Sequence, residues 1–386
     1  MYNILKRNIF QVRRLLNKDL LCKRNFCELN QKEKKPKFNV LFFGNDEISL
    51  PSLDKLIQIS KNINSPIEKL TVVTTPNDNK KSTQGIFHKF LNSKEITKIY
   101  LDKKNLNISW IDLEKTIKEE KYNIGLIASF GQMIPKEIIS TLNNKIYVMH
   151  PSLLPKYRGG APIQHTLLNN EKKTGVTICE ASIDKFDAGD IVIQKEINVE
   201  IFHRFKELSL ILSNLGAEAI FEFIENYDKI IMKKYPQDNK LSCKAPLING
   251  EIYLNFLEQD AEEICRNYKA FYGSQIEPFT KFVLNKNERQ MFFENLFIIN
   301  KLSIHYTKTL QLIDNKAKPG DIYWDLKSDR NFIFIKAKND WVASSQIKLN
   351  GTNYLKADFL ITKLFMNKRF DEINKDKLNF KTLNIK

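Results

Sequence analysis

Short runs of apolar, β-branched residues recur along the middle of this chain, most of them separated by segments long enough for a helix. The runs are 39–43, 70–75, 96–101, 124–128, 146–149 and 176–181. Strands that alternate with helices form largely parallel sheets, because each helix returns the chain to the edge where the previous strand began. The sequence therefore predicts an α/β domain with a doubly wound sheet, whose ligand site lies beyond the carboxyl ends of the strands.

The turn after the first run is Gly44-Asn45-Asp46, and a helical pattern follows it. This turn lacks the G-x-G-x-x-G fingerprint that cradles the pyrophosphate of a dinucleotide. The missing glycines disfavour a Rossmann dehydrogenase and favour a plain strand-to-helix connection.

The net charge of +16 is concentrated at the two ends of the 386-residue chain. Residues 1–37 carry +8 and residues 264–386 carry +10, which leaves −2 for the middle. Residues 1–18 contain no acidic side chain, and their Lys and Arg alternate with apolar residues at helical spacing. That pattern is typical of a mitochondrial presequence. A solvated basic tail is the alternative.

Two classes of protein are disfavoured by what the sequence lacks. No stretch of about 18 consecutive apolar residues occurs, so no membrane-spanning helix is predicted. The five cysteines, at 22, 27, 179, 243 and 265, form no C-x-x-C pair. That spacing predicts neither a disulfide framework nor a zinc site, and we expect no metal.

Beyond residue 240 the pattern changes to one long helix followed by short strands. Residues 261–271 form an amphipathic pattern, and the runs 281–284, 293–299, 321–324, 332–337 and 345–349 are separated by turn residues. Short strands at this spacing predict a small antiparallel barrel, which we interpret as OB-like. Its surplus of positive charge is suited to phosphate contact, although lysine is abundant throughout the chain.

The segment 148–164 carries the residues best suited to chemistry. His150 follows a buried strand and precedes a loop stiffened by prolines, so its imidazole is expected to face the cleft. Gly159 and Gly160 would let the backbone approach a ligand, and Pro162 is placed to begin a helix. Adjacent strands would bring Asp187 to the same rim. Taken alone, however, a histidine and a distant aspartate are better explained by a structural histidine.

The longer sequence segments around His150 and Asp187 favour a catalytic role over a structural one. HPSLLPKYRGGAPIQ at 150–164 and TGVTICEASIDKFDAGDIV at 174–192 closely resemble the formyltransferases that use 10-formyltetrahydrofolate. VLFFG at 40–44 and IASFGQMIP at 127–135 are similar to the family's first strand and to its loop beside the folate pocket. The resemblance extends from about residue 38 to about residue 365, and the OB-like barrel points to the methionyl-tRNA formyltransferase branch.

The resemblance implies an activity and a domain organisation. A formyl group would pass from 10-formyltetrahydrofolate to the amino group of initiator methionyl-tRNA, in the mitochondrial matrix, by a protein that we expect to be monomeric and free of membrane. Residues 1–37 would be the presequence and linker, 38–240 the Rossmann-like formyltransferase domain, 241–365 a linker helix with the OB-like tRNA-binding domain, and 366–386 a charged tail.

The resemblance also assigns roles to residues. His150 would stabilise the negative charge that develops on the formyl oxygen, and Asp187 would hold the imidazole and help move the proton of the attacking amine. The loop Ser152, Leu153, Leu154 and Pro155 would bind the folate. In the polar insertion 76–89, the residues expected to contact tRNA are Lys80, Lys81 and Lys89.

One position departs from the family pattern. Val148 stands where the family has an asparagine whose amide donates to the formyl oxygen. Activity is then reduced, or another group supplies the bond, or the alignment slips around Asn143 and Asn144. We expect catalysis to be retained, because the loss of one donor is small beside the whole rate enhancement. A formyltransferase for a small nucleotide or sugar amine and a non-catalytic RNA-binding homologue are the alternatives.

Overall fold

Seven strands form one sheet in the middle of the chain, in the order β3-β2-β1-β4-β5-β6-β7. The computed structural model describes residues 36–76, 83–284, 287–298, 317–323, 333–349 and 353–356. The strands of this sheet are β1 Phe38–Gly44, β2 Ile67–Thr74, β3 Thr97–Tyr100, β4 Ile124–Ala128, β5 Ile146–His150, β6 Lys173–Glu180 and β7 Ile191–Asn198. Six of them confirm the predicted runs, and β7 was not predicted.

The first five strands run parallel, whereas β6 is antiparallel to β5 and β7 is antiparallel to β6. The sheet is therefore largely parallel, as predicted, and its last two strands are the antiparallel exception. Only the helix Pro162–Leu168 lies between β5 and β6, and its seven residues span about 10 Å. The chain therefore turns back beside β5, and β6 begins beyond its end, since His150 pairs with Thr177.

Helices cover both faces of the sheet, which confirms the doubly wound architecture. They are α1 Leu50–Ser60, α2 Thr83–Asn92, α3 Leu106–Glu119, α4 Lys136–Thr141, α5 Pro162–Leu168, α6 Phe205–Glu225 and α7 Tyr227–Ile231. Successive residues of β1 point to opposite faces: Val40 and Phe42 belong to one apolar core, and Leu41 and Phe43 to the other. Helices α1, α2, α5 and α6 contribute to the first core, and α3 and α4 to the second.

The C-terminal part contains the predicted helix and strands. Helix α8 spans Ala261–Phe271, as predicted. The strands are β8 Phe279–Leu284, β9 Asn287–Glu294, β10 Phe297–Ile298, β11 Ile322–Tyr323, β12 Ile333–Lys336, β13 Trp341–Ser344, β14 Gln346–Leu349 and β15 Leu355–Lys356. They form two antiparallel sheets, β10-β13-β12-β11 and β15-β14-β9-β8, which give a barrel-like domain.

This second domain has a core of its own. Leu254, Phe256 and residues of α8 pack against Phe293 of β9 and Ile335 of β12. The predicted run 293–299 is divided into two strands at Asn295, which has a left-handed φ of 58°. Strands β13 and β15 were not predicted.

Some predictions fall on residues outside the described ranges. These are residues 1–35 of the expected presequence and linker and the expected tail 366–386. Within the described ranges, no helix combines the length and apolar character that crossing a bilayer requires.

Candidate active site

Strands β1, β4 and β5 end level with one another. Their carboxyl ends form the edge of the sheet at which the sequence predicts the ligand site. Ala128 of β4 pairs with Met149 of β5. The residues that follow across the sheet are therefore Asn45, Ser129 and His150, and Asp46 comes directly after Asn45. Because β1 lies between β2 and β4, the winding of the chain reverses at this point. Ligands of doubly wound sheets bind at such a reversal.

His150 is the last residue of β5, and its side chain is only 5% exposed. The ring atom Nε2 lies 2.8 Å from the carbonyl oxygen of Tyr157. Because a carbonyl only accepts hydrogen bonds, Nε2 carries a proton in this arrangement. The other nitrogen, Nδ1, lies 3.4 Å from Oδ2 of Asp187. The imidazole is thus fixed between a carbonyl and a carboxylate.

Asp187 reaches His150 by a different path from the one predicted. Since β6 is antiparallel to β5, the loop 181–190 starts at the edge opposite His150 and folds back over the sheet. Asp187 is buried in this loop, with a left-handed φ of 54°. The backbone N–H of Gly159 donates to its Oδ2 at 3.0 Å. The structure therefore brings the two predicted residues together, although parallel adjacent strands are not the reason.

Two side chains that sequence reasoning missed hold this loop in place. Nε2 of Gln237 donates to the carbonyl oxygens of Asp187 and Gly189, at 2.8 and 2.7 Å. Arg158 in turn donates to Oε1 of Gln237 from Nε at 2.9 Å and from Nη2 at 2.6 Å. No sequence signal links polar residues 79 and 50 positions apart, so this clamp is visible only in three dimensions.

The loop expected to bind folate alternates between buried and partly exposed residues. Ser152 and Leu154 are buried, whereas Leu153 and Pro155 are partly exposed. The hydroxyl of Thr177 donates to the Ser152 carbonyl at 2.7 Å and accepts from the Leu154 N–H at 3.1 Å. The backbone of Ser152 and Leu154 is therefore held against Thr177 of β6. Of the four loop residues, Leu153 and Pro155 are the two with side chains available to a ligand.

The two glycines expected to approach a ligand instead approach another segment of this chain. Gly159 has φ of +121°, and a Cβ there would lie 2.7 Å from the carbonyl oxygen of Ala245. A Cβ on Gly160 would lie 2.6 Å from Cγ of Leu247. These glycines therefore allow the close approach of the Ala245 backbone and of the Leu247 side chain, and their contact with a ligand stays a prediction. Pro162, by contrast, begins α5 as predicted.

Val148 is half-buried and packs against Leu154, Cys179 and Ile191. Its position in the middle of β5 is set by pairing with Ile127 of β4 on one side and Cys179 of β6 on the other. The pairing of β5 is regular on both sides. The side chain offers no hydrogen-bond donor to the neighbouring cleft.

A second carboxyl group lies at the same edge and was not predicted from the sequence. The Ser129 hydroxyl donates to Oδ2 of Asp46 at 2.5 Å, and the Ile48 N–H donates to Oδ1 at 3.0 Å. Burial raises the pKa of the Asp46 carboxyl to about 6, and these hydrogen bonds offset only part of the rise. Ser129 has a left-handed φ of 47°, a strained conformation of the kind that clusters at functional sites.

The residues expected to contact tRNA are only partly described. Lys80 and Lys81 lie outside the described residues, whereas Lys89 is an exposed residue in the last turn of α2. No cluster of His, Cys, Asp or Glu able to hold a metal ion occurs within the described ranges.

Comparison with known proteins identifies the family. The formyl transferase family model matches residues 39–223. Human mitochondrial methionyl-tRNA formyltransferase is 31% identical over 331 residues, which cover 84% of this chain and 77% of the human protein. Methionyl-tRNA formyltransferase from Thermotoga neapolitana is 36% identical over 167 residues, 43% of this chain and 52% of that protein.

Solved structures share the fold. HypX from Aquifex aeolicus superposes with a TM-score of 0.55 at 15% identity, covering 86% of this chain and 48% of HypX. WlaRD, a sugar 3N-formyl transferase, superposes with a TM-score of 0.50 at 19% identity, covering 82% of this chain and 99% of WlaRD. With 31% identity to the human enzyme over most of both chains, this chain belongs to the methionyl-tRNA formyltransferase family.

Proposed function

We propose that this protein transfers the formyl group of 10-formyltetrahydrofolate to the amino group of initiator methionyl-tRNA. Membership of the family supports the reaction. The observation that carries the proposal is the buried His150–Asp187 pair, 3.4 Å apart, at the carboxyl edge of β5. In this reaction the attacking amine loses a proton while the formyl oxygen gains negative charge. Those two changes require a proton acceptor and a hydrogen-bond donor at one place.

His150 is the proposed donor. Its Nε2–H is bonded to the Tyr157 carbonyl at 2.8 Å. To stabilise the formyl oxygen, this N–H exchanges the carbonyl for the substrate oxygen. A positioned donor of this kind contributes about 2.7–4 kcal/mol to the stability of a transition state.

Asp187 is the proposed partner of His150. Its Oδ2 faces Nδ1 of the imidazole and is held by the Gly159 N–H. The carboxylate orients the ring and offsets positive charge on it. It also receives the proton of the attacking amine, directly or through water. That proton passes to the folate nitrogen as the bond between this nitrogen and the formyl carbon breaks, which releases tetrahydrofolate.

The formyl donor is proposed to bind beside the loop Ser152, Leu153, Leu154 and Pro155. When bound, the folate supplies the formyl group. Leu153 and Pro155 are the members of the loop with partly exposed side chains, and they offer apolar surface to a flat ring. Ser152 and Leu154 hold the backbone that shapes this surface, through their hydrogen bonds with Thr177.

The acceptor is proposed to bind across both domains. The surplus of +10 in residues 264–386 supports contact with phosphate groups of tRNA. Lys80, Lys81 and Lys89, in and after the insertion that follows β2, are proposed as a second contact. The separate core formed by α8 and strands β9, β10, β12, β13 and β14 supports a division into a formyltransferase domain, 38–240, and a tRNA-binding domain, 241–365.

The human, bovine and mouse relatives are named mitochondrial enzymes, and they are 31%, 28% and 27% identical to this chain. We propose that this protein is mitochondrial as well, that it acts in the matrix, and that residues 1–37 include its presequence. We further propose that it acts as a monomer, since one chain supplies both His150 and Asp187.

Formylation of charged tRNA tests the function. The full chain is mixed with 10-formyltetrahydrofolate and initiator methionyl-tRNA, and formyl-methionyl-tRNA is quantified in a single turnover. Replacing His150 by Ala or Asp187 by Asn should lower the rate at least about 100-fold, because each removes a group that acts in the transition state. Asp184→Asn, an exposed residue of the same loop, is the matched control. Absence of product with the unchanged chain would refute the proposal.

A further inference from the structure

A polar cavity of about 150 Å³ lies between the catalytic domain and helix α8. Three segments line it: the turn between α5 and β6, the loop that follows β7, and one side of α8. The charged and titratable side chains in its wall are Glu171, Lys172, Glu200, His203, Arg266 and Lys269. None of these residues belongs to the His150–Asp187 pair.

The three cations of this basic pocket, Lys172, Arg266 and Lys269, outnumber its two carboxylates, Glu171 and Glu200, by one. Glu171 is already engaged, since its Oε1 accepts from Lys156 at 3.1 Å and from the Tyr157 hydroxyl at 2.8 Å. Lys172 and the half-buried Arg266 have no ion-pair or hydrogen-bond partner for their side chains in the part of the chain that the structure describes. A half-buried guanidinium beside an open cavity and without a carboxylate partner favours an anionic ligand.

The remaining wall is suited to an anion as well. Lys269 is anchored by a hydrogen bond from Nζ to the Ile201 carbonyl at 2.7 Å, which holds it against the loop after β7. Nδ1 of the buried His203 accepts from the Glu200 N–H at 3.1 Å, so its proton is on Nε2. The His203 ring therefore presents a donor, not an acceptor, on its other side.

The basic pocket opens at the same edge of the sheet as the active site. His150 pairs with Thr177 of β6, and β6 continues past it to Lys173, which pairs with Asn198 of β7. At about 3.3 Å per residue, the pocket lies about 13–17 Å beyond the end of β5. Tyr157 spans part of this distance: its carbonyl contacts His150 and its hydroxyl contacts Glu171. An RNA strand whose end lies at His150 would reach the pocket within a few nucleotides.

An exposed aromatic ring stands next to His203 of the pocket wall. Phe202 is 57% exposed and lies edge-on to His203, with ring centroids 4.9 Å apart. A cationic pocket with an exposed aromatic ring beside it is the arrangement by which proteins hold single-stranded nucleic acid, with the phosphate on the cations and a base on the ring.

We infer that this basic pocket binds a backbone phosphate of the tRNA substrate through Arg266, Lys172 and Lys269, and that Phe202 stacks against an unpaired base next to that phosphate. This inference rests on the proposed function, since it assigns a contact for the same acceptor. It adds a tRNA contact between the two domains to those expected from the barrel and from the insertion after β2.

Binding of tRNA to the full chain across a salt series tests the inference. The double variant Arg266→Gln/Lys172→Gln should weaken tRNA binding about tenfold at moderate salt. It should also flatten the slope of log K against log salt by about 0.7, the contribution of one phosphate contact in a single strand. The control is Lys229→Gln/Lys233→Gln, which removes the same charge from residues without side-chain partners in the described ranges. Those lysines lie at the opposite edge, where Tyr227 packs on Phe38 at the start of β1.

Two further variants separate binding from folding. Lys172 is exposed, so Lys172→Gln alone should fold and should weaken binding about threefold, and Phe202→Ala should weaken it about fivefold by loss of stacking. At subsaturating tRNA, formyl transfer by these variants should slow in parallel with their loss of affinity, whereas Lys229→Gln/Lys233→Gln should leave it unchanged.

Equal affinities and salt slopes for the two double variants would overturn the inference. It would also be overturned if inorganic phosphate raised the unfolding temperature of the unchanged chain and not of Arg266→Gln/Lys172→Gln while tRNA binding stayed equal, because the pocket would then hold free phosphate. If the unchanged chain binds tRNA in this manner but transfers no formyl group, the proposed function fails and the pocket assignment stands.

Discussion

At the scale of single residues, the site combines the imidazole of His150, which is held in one orientation, with Val148, which stands where the family has an asparagine. His150 has protein atoms at both ring nitrogens, the Tyr157 carbonyl at 2.8 Å and Asp187 at 3.4 Å. Two positions before it, Val148 contributes no hydrogen bond. The proposed chemistry at the formyl oxygen therefore depends on His150 to a greater degree than it would beside an asparagine.

Val148→Asn should increase the rate of formyl transfer. An amide at this position adds a donor on the side of β5 that carries His150, and a single such donor changes a rate by up to about 10²–10³. Single-turnover formylation with purified folate donor and charged tRNA measures the effect, and Val148→Ala, which adds no donor, is the control. No detectable product from either the valine or the asparagine form would show that this chain is not the proposed enzyme.

The Asp46 carboxyl should stabilise the folded protein at low pH and lose this effect at neutral pH. Its folded-state pKa of about 6 lies above the ordinary value of 3.8. A carboxyl group whose pKa is raised by folding stabilises the native state when it is protonated. The stabilisation is complete below the unfolded-state pKa of 3.8 and is lost as the pH rises through 6. The difference amounts to about 3 kcal/mol.

Urea unfolding of the unchanged chain and of Asp46→Asn at several pH values measures this contribution. The asparagine keeps a carbonyl that can accept from Ser129 but does not titrate. The free energy of unfolding of the unchanged chain, taken relative to that of Asp46→Asn, should therefore fall by about 3 kcal/mol between pH 3 and pH 7. Parallel curves would contradict a raised pKa.

At the scale of elements, the site is built from loops that cross the sheet. The loop 181–190 folds back from the far edge to reach β5, and Gln237 holds it by two hydrogen bonds. The segment 158–161 pairs with residues 243–245 through backbone hydrogen bonds, such as Ala245 N–H to the Arg158 carbonyl at 2.7 Å. These contacts connect the segment before the second domain directly to the catalytic loop.

Gly159→Ala should disrupt that connection. Its φ of +121° is strained for any residue with a side chain, and the new Cβ would lie 2.7 Å from the Ala245 carbonyl oxygen. Gly250→Ala is the matched control, since Gly250 also has a positive φ, +94°, but has no atom within 4 Å of the Cβ position.

Thermal and urea unfolding compare the two variants. Gly250→Ala should lose about 1 kcal/mol of unfolding free energy from backbone strain alone, and Gly159→Ala about 3 kcal/mol or more because strain and overlap add. Gly159→Ala should also slow formyl transfer, since the Gly159 N–H holds Asp187. Equal losses in the two variants would show that the contact with Ala245 does not constrain the backbone.

At the scale of the whole molecule, charge and fold are divided between two domains. The doubly wound sheet lies in the part of the chain that is nearly neutral, whereas the residues from 264 onward carry +10. A neutral catalytic cleft beside a basic domain is suited to a substrate whose reacting end is small and whose body is polyanionic.

Lys80→Ala/Lys81→Ala should weaken tRNA binding and flatten its salt dependence, as expected for lysines that contact phosphates. Binding of initiator tRNA is measured from low to moderate salt, with Lys229→Ala/Lys233→Ala as a control for loss of charge. Unchanged binding across the series would remove the insertion after β2 from the tRNA contacts.

The sequence by itself determined where most strands and helices lie. Apolar periodicity reports which residues are buried, so six strands of the central sheet and the bounds of α8 were predicted correctly. The strings around His150 and Asp187 also identified the family, because they are long and specific. The half-exposed edge strand β7 and the short strands β13 and β15 carry weaker patterns and were missed.

Only the tertiary structure decided the direction of β6, the path of the loop that carries Asp187, and the neighbours of Gly159. Periodicity records that a residue is buried, but not which distant segment buries it. The Asp46–Ser129 pair, the Arg158–Gln237 clamp and the basic pocket each join residues far apart in the chain. Such pairings are set by how elements pack, and no local pattern encodes them.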